Sequence, residues 1–135
     1  MKYISLLFIA LVLSTSCRSK SSINRDLIAQ AQPVAQIISA IQHNDLEPFK
    51  SAWCQEIKNA DYMHSVGEDK WTHLFEDTRS GFRNMFGDDY NLQDFNFIYL
   101  GDNEMGLIQI DYKGKRMTDI GFTVVREENQ WKVSI

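Results

Sequence analysis

The feature that most constrains this chain is the change of hydrophobic period after Leu92. From there to Ile135 apolar and polar residues alternate, the two-residue repeat of half-buried strands. Asp102-Asn103 suits a two-residue hairpin turn, since both residues tolerate positive φ; it sets Phe97 opposite Ile108 and Phe95 opposite Ile110. A three-residue turn at Gly114-Lys115-Arg116 then pairs Ile110 with Ile120 and Ile108 with Phe122. A turn centred on Glu127-Glu128 pairs Phe122 with Val133 and Val124 with Trp131. In this register four strands share one apolar face made by Phe95, Phe97, Tyr99, Ile108, Ile110, Tyr112, Ile120, Phe122, Val124, Trp131, Val133 and Ile135. A one-residue slip would turn a strand inside out, so the agreement of all four predicts an antiparallel meander.

The middle of the chain has a helical period instead. Pro33 suits the first turn of a helix in which Val34, Ile37, Ile38 and Ile41 share a face. His43-Asn44-Asp45 interrupts it, and Asp45 is placed to cap a second helix presenting Leu46, Phe49, Trp53 and Ile57. Residues 58–66 read as irregular, with a short strand around Tyr62. A third helix is expected from Glu68 to Phe86, with Trp71, Leu74, Phe75, Thr78, Phe82, Met85 and Phe86 in one stripe. Asp69, Glu76, Arg79, Ser80 and Arg83 take its other side, and Gly87 ends it. Helices followed by a four-stranded meander predict an α+β fold, with the N-terminal helices on one face of a curved sheet, over a single domain spanning residues 26–135.

Before that domain lies a segment with a different purpose. Lys2 supplies a positive start and Ile4 to Leu13 is an apolar run broken only by Ser5. It is shorter than the roughly 20 residues that cross a bilayer but fits the core of a secretory signal, so residues 1–16 read as a signal peptide. Ser14-Thr15-Ser16 provides the small residues that a cleavage site needs. Leu13-Ser14-Thr15-Ser16-Cys17 resembles the lipobox of bacterial lipoproteins, although leucine stands one position earlier than in that motif. The resemblance implies a diacylated Cys17 as the mature N-terminus and a membrane anchor; an ordinary secretory cut is the alternative. Residues 17–25, polar and serine-rich, read as a tether. Arg18 follows the cysteine directly, where an aspartate resembles an inner-membrane retention signal, which points to the outer membrane facing the periplasm.

Acylation of Cys17 would leave Cys54 without a disulfide partner; a free Cys17 would leave a bridge to Cys54 open. Cys54, placed beside Trp53 on the second helix, reads as a buried inert thiol. The net charge of −4 argues against nucleic acid, which needs a dense basic surface. Basic residues gather only near the anchor, at Arg18, Lys20 and Arg25. His43, His64 and His73 lack metal-ligand spacing, the acidic pairs fall at solvated turns, and neither a phosphate loop nor a serine elbow occurs, so no metal or other cofactor is expected.

The run Ile37-Ile38-Ser39-Ala40-Ile41-Gln42-His43-Asn44-Asp45-Leu46-Glu47-Pro48-Phe49 resembles the first helical corner of the nuclear-transport-factor-two-like superfamily. Asn129-Gln130-Trp131-Lys132-Val133 is similar to the closing strand of such domains. The resemblance implies a curved sheet around a long helix with a cavity at the open end, in a superfamily that holds both enzymes and binding domains. Trp71, Phe75, Phe97, Tyr99, Tyr112, Phe122 and Trp131 are then the pocket-lining candidates. Asp61 and Tyr62 are the catalytic candidates near its mouth. An apolar pocket without a placed acid points to binding of a protein partner or small apolar ligand; an isomerase or dehydratase acting in the cone is the alternative.

Overall fold

The computed structural model describes residues 27–60 and 69–135. The segments read as signal and tether, with Cys17, and Asp61, Tyr62 and His64 lie outside these residues, as does the strand expected around Tyr62. The chain is α+β. A 3-10 turn at Ala29–Ala31 leads into α1 (Gln32–Gln42), α2 (Leu46–Ser51), α3 (Gln55–Asn59) and α4 (Lys70–Phe86). A second 3-10 turn, Leu92–Asp94, precedes β1 (Phe95–Gly101), β2 (Met105–Tyr112), β3 (Lys115–Glu127) and β4 (Gln130–Ser134). The strands form one antiparallel sheet in the order β1-β2-β3-β4, curled but not closed.

α1 follows the pattern of its sequence. Pro33 sits in its first turn, where the missing N–H costs no helix bond, and Val34, Ile37, Ile38 and Ile41 are buried against the other elements. Asp45 holds the cap position of α2, but its side chain makes no capping bond. The helix expected through Ile57 breaks at Ala52-Trp53-Cys54, because this segment finds a better partner in the sheet. Trp53 forms a parallel bridge to Val133; Cys54 N–H donates to Val133 O at 2.9 Å and Val133 N–H donates to Ala52 O at 2.8 Å. Cys54 therefore precedes α3 in extended conformation rather than lying on a helix face, and its thiol is free and buried. The Glu127 carboxylate accepts from Gln55 N–H at 2.9 Å, satisfying a donor at the start of α3.

α4 begins at Lys70, two residues later than expected, with the Asp69 side chain accepting from Trp71 N–H. Phe75 and Phe82 are buried, and Trp71, Leu74 and Phe86 pack at the edge of the core. Met85 is instead among the exposed large apolar side chains. The Lys70 ammonium reaches back to the end of α3, donating to Ile57 O at 3.3 Å, to Ala60 O at 3.1 Å and to Lys58 O. It answers the orphan carbonyls of that short helix with a positive charge.

The sheet presents the expected apolar face, but with other registers. In β1–β2, Phe97 opposes Ile110, Tyr99 opposes Ile108 and Gly101 opposes Gly106, two residues away from the expected pairing. The loop is longer than Asp102-Asn103 because the Asp102 carboxylate accepts from Glu104 N–H at 2.8 Å and Met105 N–H at 3.0 Å. Ile108 opposes Phe122 as expected, but Ile110 opposes Met117, and Thr118, Asp119 and Ile120 have no partner on β2. This bulge arises because the actual turn is Lys113-Gly114, both at positive φ, a tighter solution than three residues. Glu128 and Asn129, also both at positive φ, make the last turn and set Val124 opposite Val133. Ile135 lies beyond the last pair and is 76% exposed.

The β1–β2 and β3–β4 pairings moved by two residues and the three-residue shift at the β2–β3 turn is taken up by the bulge, so the burial pattern survives: Ile108, Ile110, Val124 and Val133 have no exposed surface. α4 covers this face through Phe82, which meets Phe95 and Phe122, and Phe86, which meets Phe95 and Tyr112. α1 packs toward β4. Replacing Lys70 with Met, which keeps the stem and removes the ammonium, should lower unfolding free energy by about 1–2 kcal/mol in urea titrations. Ile110→Ala should cost about 2–5 kcal/mol in the same measurement.

Candidate functional site

The candidate pocket residues do not gather around one opening. Phe75 stands edge-on to Phe49 with ring centres 5.1 Å apart, inside the core between α2 and α4. Phe97 stacks on Phe95 within β1, while Tyr112 meets Phe86 and Phe122 meets Phe82, so the last two rings close the contact between α4 and the sheet. Trp71 lies half-buried at the start of α4, with the Lys70 ammonium 5.5 Å from its ring centre.

Tyr99 and Trp131 do come together, at the other end of the inner face, with ring centres 5.5 Å apart in a T-shaped contact. Tyr99 lies across the Gly101–Gly106 pair. A Cβ on Gly106 would come within 2.5 Å of the Tyr99 ring, and one on Gly101 within 2.6 Å of its hydroxyl. The glycines thus make the trough in which the ring lies, a recognised device for covering bare sheet backbone with an aromatic ring. The Tyr99 hydroxyl donates to Asp102 O, so its polar tip is engaged at the hairpin. Burial, and then the nearby Asp102 charge, raise the Tyr99 pKa, which keeps that donor protonated. Trp131 also lines a cleft of ≈ 270 Å³ with Gln32, Gln36, Asn129 and Gln130 among its walls.

Among the described residues every buried side chain is apolar by type. The Trp53 indole Nε1 is buried with no hydrogen-bond partner among them, a donor whose desolvation is uncompensated. His43 Nδ1 lies 2.8 Å from Ser39 O and His73 pairs with Asp77 at 3.3 Å, each on its own helix. No cluster of three or more metal-ligating side chains occurs among the described residues.

The outer sheet face carries a feature that the sequence reading passed over. Leu100 opposes Leu107 and Met105 opposes Val125. Leu100 is 51% exposed, Met105 54% and Leu107 40%. Ile98, two residues before Leu100, and Val125 extend this patch at half-burial. The signal was present in the alternation itself: positions 98, 100, 105 and 107 fall on the outward parity and are apolar, where solvated strands place polar residues. Asp102 and Glu104, both exposed, stand at its hairpin end, while the Asp111–Arg116 ion pair closes the far end of the same face.

No protein-family model matches the chain, and neither a curated protein nor a solved structure shows significant similarity to it.

The Asp102 turn shapes one end of the patch and is sensitive to acid. Bonds from the Glu104 and Met105 amides hold the Asp102 carboxyl below its ordinary pKa. The ionised form is the bonded one, so its contribution is complete above the ordinary carboxylate pKa and is lost as pH falls through the lowered value. In an NMR titration the Glu104 and Met105 amide shifts should move together in that acid window. In Asp102→Asn this transition should be absent.

Proposed function

We propose that this chain is a lipid-anchored protein of the bacterial envelope, attached through Cys17, whose α+β domain is a non-catalytic binding module. The β1–β2 hairpin docks a protein partner on its outer face. The observation that carries this reading is the exposed apolar set Leu100, Met105 and Leu107, on a sheet whose other face is covered by α1 and α4. Exposed apolar clusters of this kind mark interaction sites. Asp102 and Glu104 at its margin suit a partner with an apolar centre and a basic rim. β1 has no strand neighbour on its outer side among the described residues, although the Ala29–Ala31 turn packs against it.

The anchor rests on the lipobox resemblance at Leu13 to Cys17, and the resemblance to nuclear-transport-factor-two-like domains agrees with helices preceding a curled sheet. The outer membrane, facing the periplasm, is the expected location. One observation favours a small ligand within the domain as a second reading: a ligand carbonyl would answer the unpartnered Trp53 Nε1.

A photo-reactive amino acid at position 107, introduced into the full chain in its own host, should capture one defined envelope protein. The same group at Asp119, in the exposed bulge of β3, should not. Leu100→Glu should abolish the adduct without unfolding the domain. Equal labelling from both positions would sink the docking surface. Independently, Cys17→Ser should release the protein from the membrane fraction and remove a diacylglyceryl-sized mass; a mutant that stays membrane-bound would refute the anchor. Native mass spectrometry of the detergent-extracted wild type distinguishes the second reading by a bound small-molecule mass.

A further inference from the structure

A second opening lies away from the hairpin, where the C-terminal ends of α1 and α4 meet the segment leading to β1. It is a cleft of ≈ 450 Å³ walled by Ile41 and Gln42 from α1, by Arg79 and Arg83 from α4, and by Tyr90. Arg79 and Arg83 are one turn apart, so their guanidinium groups project from the same side of the helix. Two guanidinium groups thus line one opening in a chain whose net charge is −4.

The cleft is organised around them. Asn44, held at a φ of 56°, offers its Oδ1 to Arg79 Nη1 at 3.3 Å. Gln42 donates to Tyr90 O, fixing the segment after Gly87 against α1. Tyr90 packs its ring against Phe82, Phe86 and Phe95 while lining the opening. Burial raises the pKa of its phenol, against the opposing pull of Arg79 and Arg83, so near neutral pH it remains a donor. Two carboxylates already touch the pair. Glu76 stands 3.9 Å from Arg79, and Asp88 Oδ1 stands 2.7 Å from Arg83 Nε at the lip of the cleft. Both acids are more than half exposed, and ion pairs of that kind hold weakly. Asp88 in particular occupies one guanidinium edge as an incoming oxyanion would.

We propose that this cleft is a binding site for a small molecule bearing a carboxylate or phosphate group, gripped by Arg79 and Arg83 and displacing Asp88 from the lip. The shared chemistry is planar donor pairs meeting an oxyanion, which guanidinium groups recognise through parallel charge-assisted bonds. Ile41 and the Tyr90 ring supply an apolar wall for the body of the ligand. The site is independent of what anchors the chain and of what docks on the hairpin.

The test is calorimetric titration of the full chain in mild detergent with inorganic phosphate and, separately, with succinate, at constant ionic strength set by chloride. Saturable one-to-one binding of at least one is expected, and which one binds separates phosphate from carboxylate ligands. Arg83→Gln and Arg79→Gln should each weaken it by about tenfold. Asp88→Asn, which removes the competing carboxylate, should tighten it by about threefold, a gain that misfolding cannot mimic. If Arg83 serves only to neutralise the end of α4, the arginine variants will lower the melting temperature, and neither anion will bind saturably up to about 10 mM. That result, or binding indifferent to Arg83→Gln and Asp88→Asn, would overturn the proposal.

Discussion

The architecture depends on two hydrogen bonds between Val133 and the segment Ala52–Cys54. Without them β4 would present an open edge and the chain after Ser51 would continue as helix. With them the polypeptide leaves the helix after Ala52, pairs at Trp53, runs extended through Cys54 and restarts as α3. The bridge brings Phe49 and Trp53 over the sheet, where they join Val133 and Ile57 in one core. It also explains why the sheet is asymmetric: its β4 side is tied to the helical layer, while β1 and its hairpin carry the exposed apolar side chains. Glu127 on the Gln55 amide and Lys132 on Ser51 O reinforce the same seam from the sheet side.

The fold was legible in the sequence where one local rule governs it. Alternation of period two assigned inner and outer faces to β1, β2, β4 and the part of β3 beyond its bulge, because burial there depends on parity; before the bulge the parity flips and Met117 takes the inner place opposite Ile110. Register was less legible. The Asp102 side chain, through its bonds to Glu104 and Met105, lengthened the first turn, and paired positive φ values at Lys113-Gly114 and Glu128-Asn129 shortened or displaced the others. Propensity at Asp102-Asn103 and Gly114 named the right neighbourhoods but not the closing residues. The break at Ala52–Cys54 had no local signal: Trp53 and Ile57 fit a helix stripe perfectly well, and only a distant strand draws the segment away.

The candidate site was legible only in part. Tyr99 and Trp131 were chosen from their inward parity, and they do meet, but the Gly101–Gly106 trough that brings them together depends on pairing across the hairpin. Phe75, Phe97 and Phe122 share that parity or helical stripe and are consumed in packing, because the pattern that places a ring inward is the same for a core as for a pocket. Leu100, Met105 and Leu107 were visible as departures from alternation. The Arg79–Arg83 pair is visible in the sequence only as helical spacing opposite the apolar stripe; that α1 and Tyr90 stand beside it depends on the tertiary packing.

The glycine trough also limits how this sequence can drift over generations. A methyl group at Gly101 would press on Met105 O and one at Gly106 on Leu100 O, each closer than backbone tolerates, so neither position accepts even alanine while the hairpin keeps its pairing. Tyr99 in turn has its ring over both and its hydroxyl on Asp102 O. These four residues therefore form a single unit of inheritance: distant descendants should keep Tyr99, Gly101, Asp102 and Gly106 together or exchange the whole hairpin at once, while neighbouring strand positions vary one at a time.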